Sequence, residues 1–137
     1  LEQMKLADFL RSEQGLDTML AEKGSNFSGG QCQRLVMARA LLHDSPVYIF
    51  DEATSNIDAE SENDIMEQIY QMKGKKTVLL ISHRLANVIA ADKIYVMEQG
   101  KIAEQGNHEA LIAQNGSYAK LWNTQQELED YRKEKAS

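Results

Sequence analysis

The chain has 137 residues, of which 42% are hydrophobic and 26% are charged, a balance typical of one folded domain or part of one. Its longest apolar stretches, at residues 47–50 and 78–81, are far shorter than the roughly 18 residues that a membrane-spanning helix needs. The net charge of -6 and the absence of a clustered Lys/Arg face argue against nucleic acid as a partner. A single cysteine, Cys32, cannot form an internal disulfide, which fits a reducing compartment.

The first third of the chain is expected to contain two helices. Apolar residues at helical spacing predict a helix over about residues 2–11, and residues 15–26 are expected to form an irregular connector. Ser28 suits an N-cap, so a second helix is predicted to start there and to end before Pro46. The apolar stripe expected on its buried side consists of Leu35, Ala38 and Leu42.

Two short apolar runs predict parallel strands. The runs at residues 47–50 and 77–82 are continuous, which is typical of strands buried on both faces of a parallel sheet. Between them, Asp58 can cap a helix. Its expected buried side consists of Ile65, Ile69 and Met72. This strand, helix, strand order predicts that both strands lie parallel in one sheet.

The last part of the chain is expected to hold a hairpin and short helices. In chain order, the predicted elements are a short helix at 85–90, hairpin strands at 94–97 and 101–104, a helix capped by Asn107, and a final helix from Ser117. The sequence is almost entirely polar after Trp122. We therefore expect the last dozen residues to be solvated or frayed.

The predicted helix start at Ser28, Gly29 and Gly30 is a candidate anion site. Backbone N–H groups are free at such a start, and the helix dipole favours negative charge, so these residues could hold a phosphate. Taken alone, a serine next to two glycines is more often a plain turn and cap.

Polar residues follow both predicted strands. Asp51 and Glu52 end the first strand, at the sheet edge where ligands of open α/β folds collect. Strand alternation would point the two carboxylates in different directions, so Asp51 could hold Mg²⁺ and Glu52 could orient or deprotonate a water in phosphoryl transfer. His83 ends the second strand and could donate a hydrogen bond to a γ-phosphate. The alternatives are an acidic pair that caps a turn and a structural histidine.

These segments together resemble the ATPase domain of ATP-binding cassette (ABC) transporters. Residues 27–31 resemble the signature motif, 47–52 the Walker B strand and 55–58 the D-loop, and His83 resembles the switch histidine. The likeness extends over about residues 15–121. Features similar to the exporter branch are at 51–55, 82–85, 91–94, 100–102, 106–109 and 116–118. The chain departs from the family pattern at Phe27 and Cys32, where leucine and a basic residue are usual, and at residues 56–57.

The resemblance implies an α/β fold: the C-terminal part of a P-loop NTPase domain, with parallel core strands flanked by helices. It implies part of the helical signature subdomain at residues 1–45, part of the RecA-like ATPase core at 46–122, and a polar helix or tail at 123–137. The P-loop needs a glycine, four residues, then Gly-Lys-Ser/Thr, and the sequence contains no such segment. We therefore expect a fragment that is inactive alone.

The family resemblance also implies a site shared between two ATPase domains that pair head to tail. Ser28, Gly29, Gly30 and Gln31 would serve the partner's ATP, whereas Asp51, Glu52 and His83 would serve the chain's own ATP and Mg²⁺. Ser55 and Asp58 of the D-loop would lie at the dimer interface. A transmembrane domain in the same full-length polypeptide would place this part at the cytoplasmic face of the cell membrane.

Two other functions agree with the same motifs. One is an ABC ATPase that moves no solute and acts on DNA or ribosomes, because such relatives share the signature and Walker B motifs. The other is a non-catalytic interaction module derived from an ATPase. The presence of Glu52 and His83 argues against the module, because a domain that no longer hydrolyses ATP needs neither residue.

Overall fold

The computed structural model describes residues 6–19, 21 and 27–136, and it divides into two compact units, Leu1–Ile81 and Ser82–Ser137. In the first unit the described elements are α1 (Ala7–Ser12), a 3₁₀ turn (Gly15–Asp17), α2 (Gly29–Leu42), β1 (Val47–Asp51), α3 (Ala59–Gln71) and β2 (Thr77–Ile81). The predicted start of the first helix and half of the predicted connector, residues 20 and 22–26, lie outside the described residues. The predicted domain boundaries at residues 45 and 122 stay a prediction.

Strands β1 and β2 form a parallel pair, as the sequence predicts. Val47 pairs with Thr77 at one end and Asp51 with Ile81 at the other. Helix α3 provides the crossover that a parallel connection requires. The carboxyl ends of both strands therefore meet at one edge of the sheet.

The helices of this unit pack on one face of the strand pair. Tyr48 and Phe50 of β1 are buried among apolar side chains of the three helices. These residues are Leu6, the N-cap of α1, and the helix residues Leu10, Met37, Ile65, Met66 and Ile69. Val47 and Ile49, which alternate with the buried pair, are 52% and 66% exposed. Leu79 and Ile81 of β2 are likewise 49% and 44% exposed. The prediction that both strands are buried on both faces is therefore wrong within the described residues, because successive side chains point to opposite faces and the described helices cover only one of them.

Helix α2 differs in part from the predicted stripe. Leu35 and Ala38 pack against the core, but Leu42 is 86% exposed. Leu42 has nearly the same angular position as Leu35, but it is the last residue of the helix and lies past the core. Met37, which the predicted stripe omits, is buried instead.

The second unit consists of a hairpin and helices. Its elements are a 3₁₀ helix (Leu85–Val88), β3 (Ile94–Glu98), β4 (Lys101–Gly106), α4 (His108–Ala113) and α5 (Ser117–Ala136). The hairpin turn places Gln99 and Gly100 at φ 48° and 76°, as a tight turn that matches strand twist requires. The core contains Ile94, Val96, Leu111 and Tyr118. The predicted hairpin and the helices predicted to be capped by Asn107 and to start at Ser117 are confirmed. The helix predicted at residues 85–90 is instead a short 3₁₀ helix, Leu85–Val88.

The final helix extends further than the sequence suggests. Helix α5 continues to Ala136, so residues 126–136 are helical rather than frayed. Most of residues 126–135 are exposed, which agrees with the alternative prediction that this end is solvated. Its half-buried positions recur at helical spacing and comprise Trp122, Gln125, Gln126 and Glu129. At its start, the Glu104 carboxylate accepts bonds from the backbone N–H groups of Ser117 and Tyr118 at 2.6 and 3.0 Å. These bonds satisfy donors that every helix start leaves unpaired.

Candidate functional site

The predicted phosphate-binding helix start is capped by its own side chains. Ser28 Oγ accepts a bond from Gln31 N at 3.2 Å, and Gln31 Oε1 accepts one from Ser28 N at 2.8 Å. This reciprocal pair is a capping box, which fixes the direction in which the chain enters the helix. Ser28 and Gly29 are exposed, so a ligand can reach the helix start. The Ser28 hydroxyl still has its proton to donate.

The two glycines of this helix start have different surroundings. A Cβ at Gly29 would lie 3.7 Å from its nearest neighbours, which belong to Asn56 and Ile57. A Cβ at Gly30 would overlap Ser61 Oγ and lie 2.6 Å from Ser61 Cβ. Gly30 is therefore required for the close approach of α2 to α3, a packing role that the sequence reasoning missed. Gly29, in the predicted signature motif, therefore lies beside residues 56 and 57 of the predicted D-loop.

Arg34 connects α2 to α3. Its guanidinium donates to Gly30 O at 3.4 Å, to Ser61 Oγ at 3.3 Å and to Asp64 Oδ2 at 3.3 Å. The Arg34 and Asp64 side chains are only 16% and 13% exposed, so this ion pair is less screened by water than a surface pair. The sequence reasoning assigned Arg34 no contact of this kind.

The D-loop leads directly into α3. Asp58 is the N-cap of this helix, and its Oδ1 accepts a bond from Ser61 N at 2.8 Å. Hydrogen bonds from Ser61 lower the pKa of Asp58 below its ordinary value, because they stabilise the ionised carboxylate. Upstream, Ser55 N donates to Glu52 O at 2.9 Å, and Asn56 has a φ of 59°. The loop therefore turns sharply between the strand end and the helix.

The acidic pair lies where β1 ends. Asp51 is the last residue of the strand, and Glu52 N donates to Ile81 O of β2 at 2.9 Å. Glu52 has a φ of 47°, in the left-handed region that non-glycine residues seldom adopt and that recurs at functional sites. Both side chains are exposed. Since Glu52 is not in strand conformation, strand alternation does not determine its direction, contrary to the sequence argument.

The described residues fit a magnesium ion that is bound mainly by phosphate oxygens of a substrate and only partly by the protein. Among the residues that the structure describes, no three His, Cys, Asp or Glu side chains group as a metal site. Protein-bound Mg²⁺ commonly uses one or two carboxylates together with phosphate oxygens and water. The exposed carboxylate of Asp51, the last residue of β1, agrees with this arrangement.

His83 lies in the second unit and is described with it. The loop at residues 82–84 is tied by Ser82, whose hydroxyl accepts from Arg84 N and donates to Arg84 O, both at 3.1 Å. Gln125 Nε2 of α5 donates to His83 O at 2.7 Å, and Gln125 Oε1 accepts from Leu85 N at 3.0 Å. The sequence reasoning missed Gln125, because nothing distinguishes it from other polar residues of the tail.

The fold is α/β, with acidic residues at the carboxyl end of a parallel strand. A family model described as ABC transporter matches residues 2–55. An uncharacterized ABC transporter ATP-binding protein of Haemophilus influenzae is 54% identical over 132 residues, which is 96% of this chain and 24% of the relative. An ATP-dependent lipid A-core flippase of Haemophilus ducreyi is 51% identical over 113 residues, 82% of this chain and 19% of the relative.

A solved structure gives the same result for the fold. The chain matches a bacterial Atm1-family ABC exporter with ATP bound, with a TM-score of 0.84 and 38% identity over 90% of this chain and 22% of the exporter. The chain belongs to the ATP-binding domain family of ABC transporters. It spans a quarter or less of the length of these relatives. No helix in the described part of the chain is long and apolar enough to cross a membrane.

Proposed function

We propose that this chain is part of the ATP-hydrolysing motor domain of an ABC exporter, in which ATP hydrolysis is coupled to transport across a membrane. The observation that carries the proposal is the match to an ATP-bound exporter over 90% of the chain, with the acidic pair at the end of β1. The lipid A-core flippases among the relatives favour transport over a role on DNA or ribosomes.

Each site residue has a proposed task. Asp51 would hold Mg²⁺, and Glu52 would orient and deprotonate the attacking water. The bound metal would supply positive charge that offsets charge developing on the phosphates. His83 would donate a hydrogen bond to the γ-phosphate.

The helix start and the D-loop would face a second ATPase domain that pairs head to tail with this one. Ser28, Gly29, Gly30 and Gln31 would contact the partner's ATP. Two features support this: the exposure of Ser28 and Gly29, and the first amides of a helix, which lack intrahelical acceptors. Ser55 and Asp58 would lie at the interface, because the D-loop contacts the same helix start.

The full-length protein would contain a transmembrane domain, with this part at the cytoplasmic face of the membrane. The chain alone would be inactive, since no P-loop segment occurs in its sequence and the P-loop provides most phosphate contacts in this fold. Calorimetric titration of the chain with Mg-ATP should show weak binding. Micromolar affinity would contradict this part of the proposal.

The catalytic assignment is tested by Glu52→Gln in the full-length protein. Loss of the general base should lower turnover about 10²- to 10⁴-fold, while ATP binding persists, because the amide keeps the shape of the carboxylate. Glu60→Gln, the same change at an exposed residue in the first turn of α3, is the matched control and should leave turnover unchanged. Undiminished turnover in Glu52→Gln would remove Glu52 from the reaction.

A further inference from the structure

The loop that carries His83 is held by a side chain far along the chain. Gln125 Nε2 donates to His83 O at 2.7 Å, and Leu85 N donates to Gln125 Oε1 at 3.0 Å. One amide group therefore satisfies the two backbone groups on either side of Arg84. Both ends of the amide are used, one as donor and one as acceptor, so only a side chain with both capacities can make this pair of bonds.

The loop backbone needs such a partner. Residues 82–84 follow the end of β2 at Ile81 and precede the 3₁₀ helix that starts at Leu85, so they belong to neither a strand ladder nor a helix. Backbone polar groups outside regular structure must find partners elsewhere. Ser82 ties the loop to itself through Arg84. Gln125, in contrast, ties it to a long helix.

Helix α5 is a firm anchor for that bond. Its first turn is held by the Glu104 carboxylate, and Tyr118 is 1% exposed. Gln125 comes seven residues after Tyr118, which is about two helical turns, so both lie on the same side of the helix. The buried start of α5 therefore sets the position of the Gln125 amide.

We infer that Gln125 is a positioning residue for His83. It fixes the backbone on both sides of Arg84, so that the His83 imidazole returns to the same place at each turnover. The inference rests on the proposed function, in which His83 contacts the γ-phosphate. Within the described residues, the Gln125 side chain bonds to backbone groups of the loop, and its effect on turnover is exerted through His83.

The test uses the full-length protein with Gln125→Ala and Gln125→Glu. Gln125→Ala removes both bonds and Gln125→Glu removes the bond to His83 O. Both variants should lower kcat about five- to tenfold and leave KM for ATP unchanged. Gln125→Glu keeps the size of the side chain and the acceptor for Leu85 N–H, but it places a carboxylate oxygen against the His83 carbonyl. Gln126→Ala, at the next half-buried position of α5, is the matched control and should retain the wild-type kcat.

A double-mutant cycle separates positioning from general stability. If Gln125 acts only through His83, the double variant should have the same residual kcat as His83→Ala alone. Hydrogen exchange at Leu85 N–H should also become faster in Gln125→Ala, because its acceptor is removed. Unchanged exchange would contradict the claim that the amide holds the loop.

The outcomes distinguish this inference from the proposed function. Wild-type kcat in both Gln125 variants, together with an impaired His83→Ala protein, would overturn the inference and leave the role of His83 intact. A further fall in kcat when Gln125→Ala is added to His83→Ala would also overturn it, since Gln125 would then act elsewhere. Wild-type turnover in His83→Ala would overturn the proposed role of His83 and the inference with it.

Discussion

Two regions that carry candidate site residues are held in different ways. At the start of α2, Ser28 and Gln31 cap each other, and Gly30 lies directly against Ser61 of α3. At the His83 loop, the holding group is a single amide 42 residues further along the chain. The α2 start depends on close packing, because no space is left for a Cβ at Gly30. The His83 loop depends on two hydrogen bonds from Gln125, which a substitution can remove without a steric clash.

This difference predicts where substitutions act. Changes at the α2 start should lower stability and displace the D-loop with it, since the two segments are in contact. Changes at Gln125 should leave the fold intact and lower turnover. The predictions below test this contrast, starting with the largest expected effect on stability.

Gly30→Ala should be the most damaging small substitution in the first unit. The added Cβ would lie 2.6 Å from Ser61 Cβ, which is attached to backbone and cannot rotate away, so α2 and α3 must separate. Overpacking of this kind costs about 1–3 kcal/mol, measurable by denaturant unfolding of the chain. Gly29→Ala is the control, because its Cβ would have ordinary contacts at 3.7 Å.

The reason for this loss can be checked by a second substitution. Ser61→Gly removes the atoms that the new Cβ meets, so it should recover part of the stability lost in Gly30→Ala. Equal stability of Gly30→Ala and Gly29→Ala would show that the two helices have room to spare.

Gly116→Ala should have a smaller effect in the second unit. Its Cβ would overlap the end of the Glu104 side chain, which can swing away but would then lose its bonds to Ser117 N and Tyr118 N. The expected cost is about 1–2 kcal/mol. Fluorescence of the single tryptophan, Trp122, follows this unfolding. In a Glu104→Ala background the substitution should cost little more, and a full additive loss would contradict this account.

Local signals made much of this structure predictable from the sequence. Ser28, Asp58 and Asn107 all cap helices as predicted, because a cap depends on residues within one turn. The parallel strand pair followed from the two apolar runs and the helix between them. Asp51 ends β1 and Ser28 caps α2 as expected, whereas Glu52 and His83, which were predicted to end strands, lie just past the ends of β1 and β2.

What the sequence did not reveal depends on contacts between distant residues. An apolar run cannot show whether one face of a strand is buried or both, and so the exposure of Ile49 was missed. The close contact of Gly30 with Ser61 and the bonds of Gln125 to the His83 loop join residues about 30 and 40 positions apart, and side-chain type alone does not indicate such contacts. A polar helix face, as in α5, likewise resembles a solvated tail.

Ser28→Ala should cost about 1 kcal/mol of stability, the usual value for loss of an N-cap. The substitution leaves Gln31 N without its acceptor but creates no clash. Ser28→Gly should cost only a few tenths of a kcal/mol, because glycine leaves the amide open to water. Thermal unfolding of the chain would rank the two. If Ser28→Ala matched Gly30→Ala in cost, capping would outweigh close packing at this helix start.

The smallest expected effect concerns pH and the cap at Asp58. Hydrogen bonds from Ser61 lower the pKa of Asp58 in the folded state, so folding favours its ionised form. The cap therefore contributes fully to stability above the unfolded-state pKa, and its contribution is lost as the pH falls through the lower folded-state pKa, below about pH 4.

Asp58→Asn keeps an N-cap that does not titrate, so the unfolding free energy of this variant should fall less than that of the wild type on acidification. Lys76 also lowers the pKa of Asp44, so Asp44→Asn should be introduced into both proteins to remove its contribution to the pH dependence. If the unfolding free energies of the wild type and Asp58→Asn had the same pH dependence, the Ser61 bonds would not favour the ionised form of Asp58. The cap would then depend on shape, as the packing of Gly30 does, and not on charge.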